Sequence, residues 1–149
     1  MNSSTKQVVV ALDGSENSLR ALKVGSDLAQ AMGRDLALLY VYPNVIKGAS
    51  AAMAGLPQIA ADKLEEHKSS SASEVFDAAA AQLGKSHPVA HKHLLVGDPA
   101  EEIIGFMEDN PGTHIVMGRR GLSKIKALVI GSVSDKVTRH APGMVTVVS

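Results

Sequence analysis

The sequence predicts a doubly wound α/β domain in which five parallel strands form an open sheet with helices on both faces. Two patterns support this prediction. Short apolar runs such as Gln7–Leu12 (QVVVAL) are typical of strands buried on both faces. These runs alternate with longer segments in which apolar residues recur at helical spacing, as in proteins with parallel sheets. The chain has 149 residues, the usual size of one domain, so residues 1–149 are predicted to form a single domain.

Each element is predicted from its apolar pattern and from the Gly, Pro, Ser or Asp residues that bound it. In the predicted helix Ala60–Leu83, the residues Leu64, Val75, Ala78 and Leu83 are expected on the buried face. The connection Pro43–Gln58 has no clear period, and its role is left open. The predicted elements are, in order, strand Gln7–Leu12, a helix between Ser15 and Gly33, strand Asp35–Tyr42, helix Ala60–Leu83, strand Val89–Val96, a helix beginning at Pro99, strand Thr113–Met117, helix Ser132–His140 and strand Met144–Val148.

The composition excludes several classes of function. Fifteen Lys and Arg balance fifteen Asp and Glu, so no overall field attracts nucleic acid or a membrane. The sequence has no Cys, which excludes disulfides, thiolate metal sites and Cys nucleophiles, and its 3% aromatic content disfavours base stacking. The apolar run Val8–Leu12 is too short for a signal sequence or a membrane span. We therefore expect a cytoplasmic protein that binds neither nucleic acid nor membrane.

The stretch Met117–Ser134 (MGRRGLSKIKALVIGSVS) combines glycines with basic residues directly after the fourth predicted strand. The sequence has neither a Walker A loop nor a dinucleotide fingerprint. However, Gly118 lets the main chain turn away from the fourth strand, and Gly121 allows main-chain N–H groups to face inward. Gly131-Ser132 then opens a helix whose N-terminus is partly positive. These features predict a polyphosphate pocket, although Ser132–Asp135 also fits an ordinary capping box, so both interpretations stay open. The basic residues of the stretch are Arg119, Arg120, Lys124 and Lys126.

Ligands of open α/β sheets bind at the carboxyl ends of the strands, at the point where the strand order reverses. We expect the end of the first strand, Ala11–Asp13, and the residues from Gly118 onward to meet there. The Asp13 carboxylate stands at the end of the first strand, where it can cap the turn at Gly14-Ser15.

The spacing of the Gly residues after the fourth predicted strand forms a recognisable pattern. Gly118-Arg119-Arg120-Gly121, followed after nine residues by Gly131-Ser132, is G-x2-G-x9-G-[ST], which resembles the ATP-binding signature of the universal stress protein family. The segments VVVALDGSENSLRAL, GDPAEEII and THIVMGRRG are similar to its first strand and helix, its third strand-to-helix turn and the end of its fourth strand. The resemblance covers nearly the whole chain and implies a Rossmann-like fold of the adenine nucleotide alpha hydrolase-like type.

The resemblance implies that the protein binds ATP, with Mg²⁺ brought in by the triphosphate. It puts Asp13 near the ribose with Ala11 and Leu12 beside it, and Val41 along the adenine, although Val41 fits plain core as well. The family often has Pro where this chain has Ala11. The other implied contacts are Met117 and Gly118 to the nucleoside, and Arg119, Arg120, Gly121, Gly131, Ser132, Val133 and Ser134 around the phosphates.

The sequence suggests binding rather than catalysis. No general base is predicted beside the phosphate turn, so no catalytic residue is assigned and any hydrolysis of ATP is expected to be slow. The apolar strand Met144–Val148 would leave unpaired main-chain groups at a sheet edge, and the resemblance implies a homodimer through it. Two alternatives stay open: an interaction module that does not need nucleotide, and an adenylate-forming enzyme, whose His-x-Gly-His and Ser-Gly-Gly-x-Asp-Ser motifs do not occur here.

The remaining polar candidates carry no assigned site. His91 and His93 share one face of a strand, a spacing that can hold a metal, but no third ligand lies nearby in sequence. The alternative is an exposed strand, and no metal site is predicted. We expect structural roles for His114 and for His140 at a helix C-terminus, and a favourable helix-dipole contact for Glu101-Glu102.

Overall fold

Strands and helices alternate along the chain as predicted. The structure is a computed structural model, and it describes residues 6–43, 58–85, 87–120 and 132–149. The predicted bounds differ from the observed ones by at most two residues, and residues 44–57 of the connection Pro43–Gln58 lie outside the described residues. The elements in the described residues are β1 (Gln7–Leu12), α1 (Glu16–Met32), β2 (Asp35–Pro43), α2 (Gln58–Leu83), β3 (Val89–Gly97), α3 (Pro99–Asp109), β4 (His114–Gly118), α4 (Ser132–His140) and β5 (Met144–Val148).

These strands form one parallel sheet in the order β3-β2-β1-β4-β5. β1 lies at the centre, where Val10 pairs with Leu38 on one side and with Val116 on the other. The chain builds outward from β1 to β3 and then adds β4 and β5 on the opposite side of β1. The strand order therefore reverses between β1 and β4, where open sheets of this kind bind their ligands.

Helices cover both faces of the sheet, which confirms the predicted fold class. On one face, α1 and α2 pack against a cluster that contains Val8 and Val10. On the other face, α3 and α4 pack against a cluster that contains Val9. All three valines are completely buried. Because consecutive strand residues point to opposite faces, this double covering explains why β1 is an unbroken apolar run rather than an alternating one.

The buried face of α2 differs in part from the predicted one. The buried positions include Ala72, Phe76, Ala79 and Leu83, whereas Ala78 is exposed, so the prediction for Ala78 was wrong. The Phe76 ring lies edge-to-face against Tyr40, with centroids 6.4 Å apart. An aromatic ring buries far more apolar area than an Ala methyl group, so Phe76 determines which face of this Ala-rich helix turns inward.

β3 and β5 form the two edges of the sheet. β5 therefore has the edge position predicted for Met144–Val148. Val145 and Val147 pack against the cluster of the α3–α4 face, while Met144 is 46% exposed. Val148 packs against the cluster of the α1–α2 face, so the last strand is partly covered on both faces and is exposed at its amino end.

Candidate ligand-binding site

A pocket of about 300 Å³ lies at the carboxyl ends of the central strands, where the strand order reverses. Its volume is at the lower end of the range for small-molecule sites. Its walls come from the ends of β1, β2 and β4 and from the first turns of α1, α3 and α4. The lining residues in the described part of the chain are Ala11, Leu12, Asp13, Ser18, Leu39, Tyr40, Val41, Pro43, Pro99, Ile103, Met117, Gly118, Arg119, Arg120, Ser132, Val133 and Ser134.

The turn from β1 to α1 positions Asp13 by local hydrogen bonds. Asp13 Oδ1 accepts a hydrogen bond from the Ser15 amide at 2.9 Å, which confirms the predicted capping of this turn. Ser15 is the N-cap of α1, and its Oγ accepts from the Ser18 amide at 3.2 Å. Gly14 has a φ of 85°, a left-handed conformation that favours Gly. Asp13 is held at the edge of the pocket, and its predicted contact with ribose stays a prediction.

The turn after β4 is held by bonds from three other elements. The Arg119 amide donates to the Val148 carbonyl at 2.7 Å, and Ser134 Oγ donates to the Arg119 carbonyl at 2.8 Å. Asn17 Nδ2 donates to the Arg120 carbonyl at 3.1 Å. β5, α4 and α1 therefore fix the main chain of two residues that line the pocket.

Gly118 allows this turn to lie against the start of α1. A Cβ atom at position 118 would lie 2.9 Å from both the main-chain carbon and the Cβ of Asn17. Such contacts are much shorter than van der Waals distance, and the main chain of a helix cannot move aside cheaply. Gly is therefore required at position 118 by the packing of β4 on α1.

The lining of the pocket combines surfaces of different electrostatic character. Leu39, Val41 and Met117 give the sheet floor an apolar surface. Arg119, Arg120 and the N-terminus of α4, where helix N–H groups without partners inside the helix carry partial positive charge, give a positively charged part. Asp13 is the only acid among the described lining residues. The arrangement suits a ligand with a flat apolar part, hydroxyl groups and an anionic tail.

Tyr40 contributes a neutral phenol to the pocket. Burial raises the pKa of Tyr40 above its ordinary value, and the nearby Tyr42 and Asp13 raise it further. The described lining residues include no His, Lys, Glu or Cys. This part of the pocket therefore offers groups that can bind a ligand, but no side chain with a pKa near neutrality that would suit general acid–base catalysis.

The structure brings every described residue of the predicted site together in one pocket. Gly121 and Gly131 lie outside the described residues, as do Lys124 and Lys126. Sequence reasoning missed the other lining residues, which are Ser18, Leu39, Tyr40, Pro43, Pro99 and Ile103. Leu39 and Tyr40 directly precede Val41 at the end of β2, and Pro99 begins a helix after a strand end. Their position at strand ends was therefore the sequence signal that could have identified them as lining residues. Ile103 carries no such signal, because it looks like ordinary core.

The histidine pair on β3 has aromatic neighbours and no third metal ligand among the described residues. The rings of His91 and His93 lie 6.0 Å apart, and His93 packs against Phe106 with centroids 4.8 Å apart. Burial, and then the neighbouring His91, lowers the pKa of His93. Across residues 6–43, 58–85, 87–120 and 132–149, no group of three or more potential ligands could hold a metal ion.

The other polar candidates have structural partners. His114 is buried, and its Nε2 lies 2.7 Å from Thr146 Oγ1 on the neighbouring strand. Glu101 lies in the first turn of α3 and forms an ion pair with Lys136 of α4 at 3.5 Å. These contacts agree with the structural roles predicted from the sequence. Among the helices that the structure describes, none is long and apolar enough to cross a membrane.

The fold defines a class, the doubly wound α/β proteins, and the pocket lies where the strand order reverses. Within this class, the model of the universal stress protein family matches residues 4–149, and the chain belongs to that family. A universal stress protein of Thermus aquaticus is 33% identical over 137 residues, which cover 92% of this chain and 93% of the relative. Universal stress protein YxiE of Bacillus subtilis is 27% identical over 135 residues, covering 89% and 91%.

Solved structures agree with this assignment. The chain is similar to a universal stress protein crystallised in complex with cAMP, with a TM-score of 0.67 and 25% identity over 99% of both chains. The universal stress protein UspA from Lactobacillus plantarum has the same fold, with a TM-score of 0.66 and 21% identity over 99% of this chain and 100% of that one.

Proposed function

We propose that this protein binds an adenine nucleotide, with ATP as the ligand, and acts as a nucleotide-dependent regulatory protein in the stress response. The observation that carries the proposal is the combination in one pocket of an apolar floor, a carboxylate and a positively charged part. The related structure with bound cAMP supports an adenine nucleotide as the ligand class. The family membership supports a role in the stress response.

In this proposal the nucleoside occupies the floor of the pocket. The adenine lies along Val41 and contacts Met117, because an uncharged ring is best buried against apolar side chains. The ribose lies beside Asp13, whose carboxylate accepts bonds from its hydroxyls while Oδ1 also caps the turn. Ala11 and Leu12 complete the wall next to the ribose.

The phosphates lie against the positively charged part of the pocket. Their charge is matched by Arg119, Arg120 and the first N–H groups of α4, at Ser132, Val133 and Ser134. Gly121 and Gly131 belong to the same proposed phosphate contacts on the basis of their spacing, and lie outside the described residues.

Mg²⁺ fits this site as a companion of the triphosphate. Mg²⁺ prefers oxygen ligands and usually keeps several waters, so it needs few protein groups. The Ser132 hydroxyl, among the residues proposed to contact the phosphates, is an oxygen donor of the described lining. When bound, Mg²⁺ neutralises part of the phosphate charge. Because the described lining offers no dedicated general base, we propose a binding protein with at most slow ATP hydrolysis.

We further propose that the protein works as a homodimer in the cytoplasm. β5 is an edge strand, and pairing with the same strand of a second copy would satisfy its outer main-chain groups. The lack of Cys suits a reducing compartment. Sedimentation velocity should show a dimer that Val147→Lys and Met144→Lys convert to monomers, with circular dichroism as a check on folding. A dimer that persists in both variants would contradict this interface.

Isothermal titration calorimetry with ATP, AMP and adenosine tests the binding proposal. We expect all three to bind the wild-type protein, with ATP the tightest. Arg119→Ala combined with Arg120→Ala should weaken ATP binding roughly tenfold or more, because charge-assisted hydrogen bonds are lost, and leave adenosine binding nearly unchanged. Absence of binding by all three ligands would show that the proposed function is wrong.

A further inference from the structure

Asn17 connects α1 to the turn that follows β4. It is the second residue of α1, and its Nδ2 donates to the main-chain carbonyl of Arg120 at 3.1 Å across 103 residues of sequence. Arg120 lines the pocket, whereas Asn17 does not. The side chain of Asn17 therefore acts on the pocket only through the main chain that it holds.

A second hydrogen bond fixes the orientation of the Asn17 amide. Arg20, one turn further along α1, donates from Nη2 to Asn17 Oδ1. A guanidinium group can only donate, so it must face the oxygen of the amide and not its nitrogen. The Nδ2 donor is thereby directed toward the Arg120 carbonyl.

Packing makes this connection rigid. The missing Cβ of Gly118 lets β4 approach the main chain of Asn17 so closely that a methyl group would lie 2.9 Å away. Arg119 is held separately, by the Val148 carbonyl and by Ser134 Oγ. β5 and α4 thus fix Arg119, and α1 fixes Arg120 through Asn17.

We propose that Asn17 is a positioning residue for the anionic end of the ligand pocket. By holding the Arg120 carbonyl, Asn17 sets the direction in which the main chain leaves β4. That direction determines where the Arg119 and Arg120 side chains meet the ligand. This inference rests on the proposed binding of a phosphorylated adenine nucleotide. The nucleoside end of the pocket is formed by other residues, so the effect of Asn17 is confined to the phosphates.

The test compares ATP with adenosine in two matched variants. Asn17→Ala removes an amide that donates to a carbonyl. Gln82→Ala removes a similar amide that donates to the Leu19 carbonyl on α1 at 2.6 Å, outside the pocket. We expect Asn17→Ala to weaken ATP binding by roughly tenfold, as loss of one positioning hydrogen bond would, and to change adenosine binding by less than about twofold. Gln82→Ala should leave both affinities unchanged.

A second substitution of Asn17 keeps the contact with Arg20. Asn17→Asp offers Arg20 an oxygen but replaces the Nδ2 donor with a second acceptor that faces the Arg120 carbonyl, so ATP binding should fall at least as far as in Asn17→Ala. Circular dichroism melting of all variants checks that the fold is retained. Unchanged ATP affinity in both Asn17 variants, or equal losses for ATP and adenosine, would overturn the positioning role and leave the proposed function standing. Absence of ATP binding by the wild type would overturn the proposed function and the inference together.

Discussion

Two turns at the carboxyl ends of neighbouring strands line the pocket, and they are held in different ways. The turn from β1 to α1 is held by its own residues, through bonds from Ser15 to Asp13 and from Ser18 to Ser15. The turn that leaves β4 is held by distant residues, among them Asn17 and Val148. The first turn needs only its local sequence to form, whereas the second needs the assembled sheet. The ligand site is therefore complete only after the tertiary structure has formed.

The largest expected effect comes from breaking the contact between the second turn and α1. Gly118→Ala should lower the free energy of unfolding by about 2–4 kcal/mol, because the new methyl group would overlap the Asn17 main chain. Gly105→Ala in α3 is the control, since a methyl group there meets nothing within 4 Å and should stabilise the helix by about 0.5–1 kcal/mol. Urea denaturation measures both. Equal stability of the two variants would mean that the second turn does not depend on this contact.

A smaller effect is expected for the first turn. Asp13→Ala should cost about 1 kcal/mol, because the Ser15 amide loses its side-chain acceptor. Asp13→Asn retains an Oδ1 acceptor and should preserve most of that stability while weakening adenosine binding. Thermal melting and calorimetry together separate the two roles of this residue. Full adenosine affinity in Asp13→Asn would limit Asp13 to capping.

The smallest expected effect concerns pH and the strand that leads into the second turn. Burial, and then the positive charge of Arg34, lowers the pKa of His114 at the start of β4 below its ordinary value near 6.5. The unfolded chain then binds a proton more readily than the folded protein, so the His114 contribution to stability is complete above about pH 6.5 and is lost as the pH falls below it.

Urea midpoints measured between pH 7.5 and 5 test this expectation. The midpoint should fall with pH in the wild type and fall less in His114→Gln. His93, whose pKa is lowered by burial and by His91, should account for part of the remaining slope. If the urea midpoint changes with pH equally in wild type and His114→Gln, His114 does not contribute to the pH dependence of stability.

The sequence was sufficient to predict the fold because local and global signals agree in this chain. The apolar run of β1, Ser15 and Pro99 at the starts of helices, and the Gly residues after strands and helices bound the elements to within two residues. The carboxyl-end rule for open sheets then located the pocket. Where local signals were weak, as in Ala-rich α2, the prediction of the buried face failed for Ala78.

The geometry of the second turn could not be predicted in this way. The hydrogen bonds from Asn17 to Arg120 and from Arg119 to Val148 join residues that are distant in sequence. Nothing in the sequence near Asn17 or Val148 indicates which residue it will contact. Ile103 lines the pocket from the apolar face of α3, and its sequence pattern does not distinguish it from a core residue. Residues that act through tertiary contact leave no periodic pattern, so only a three-dimensional structure reveals them.

The bond between the Arg119 amide and the Val148 carbonyl has a practical consequence for labelling. In a parallel sheet the carboxyl end of β5 lies at the same end of the molecule as the pocket, while the amino end of β1 lies at the opposite end. Because the sequence has no Cys, a fluorescent dye coupled to the single thiol of Ser149→Cys would report on ligand occupancy at close range. An affinity tag that leads into β1 joins the sheet at the opposite end from the pocket.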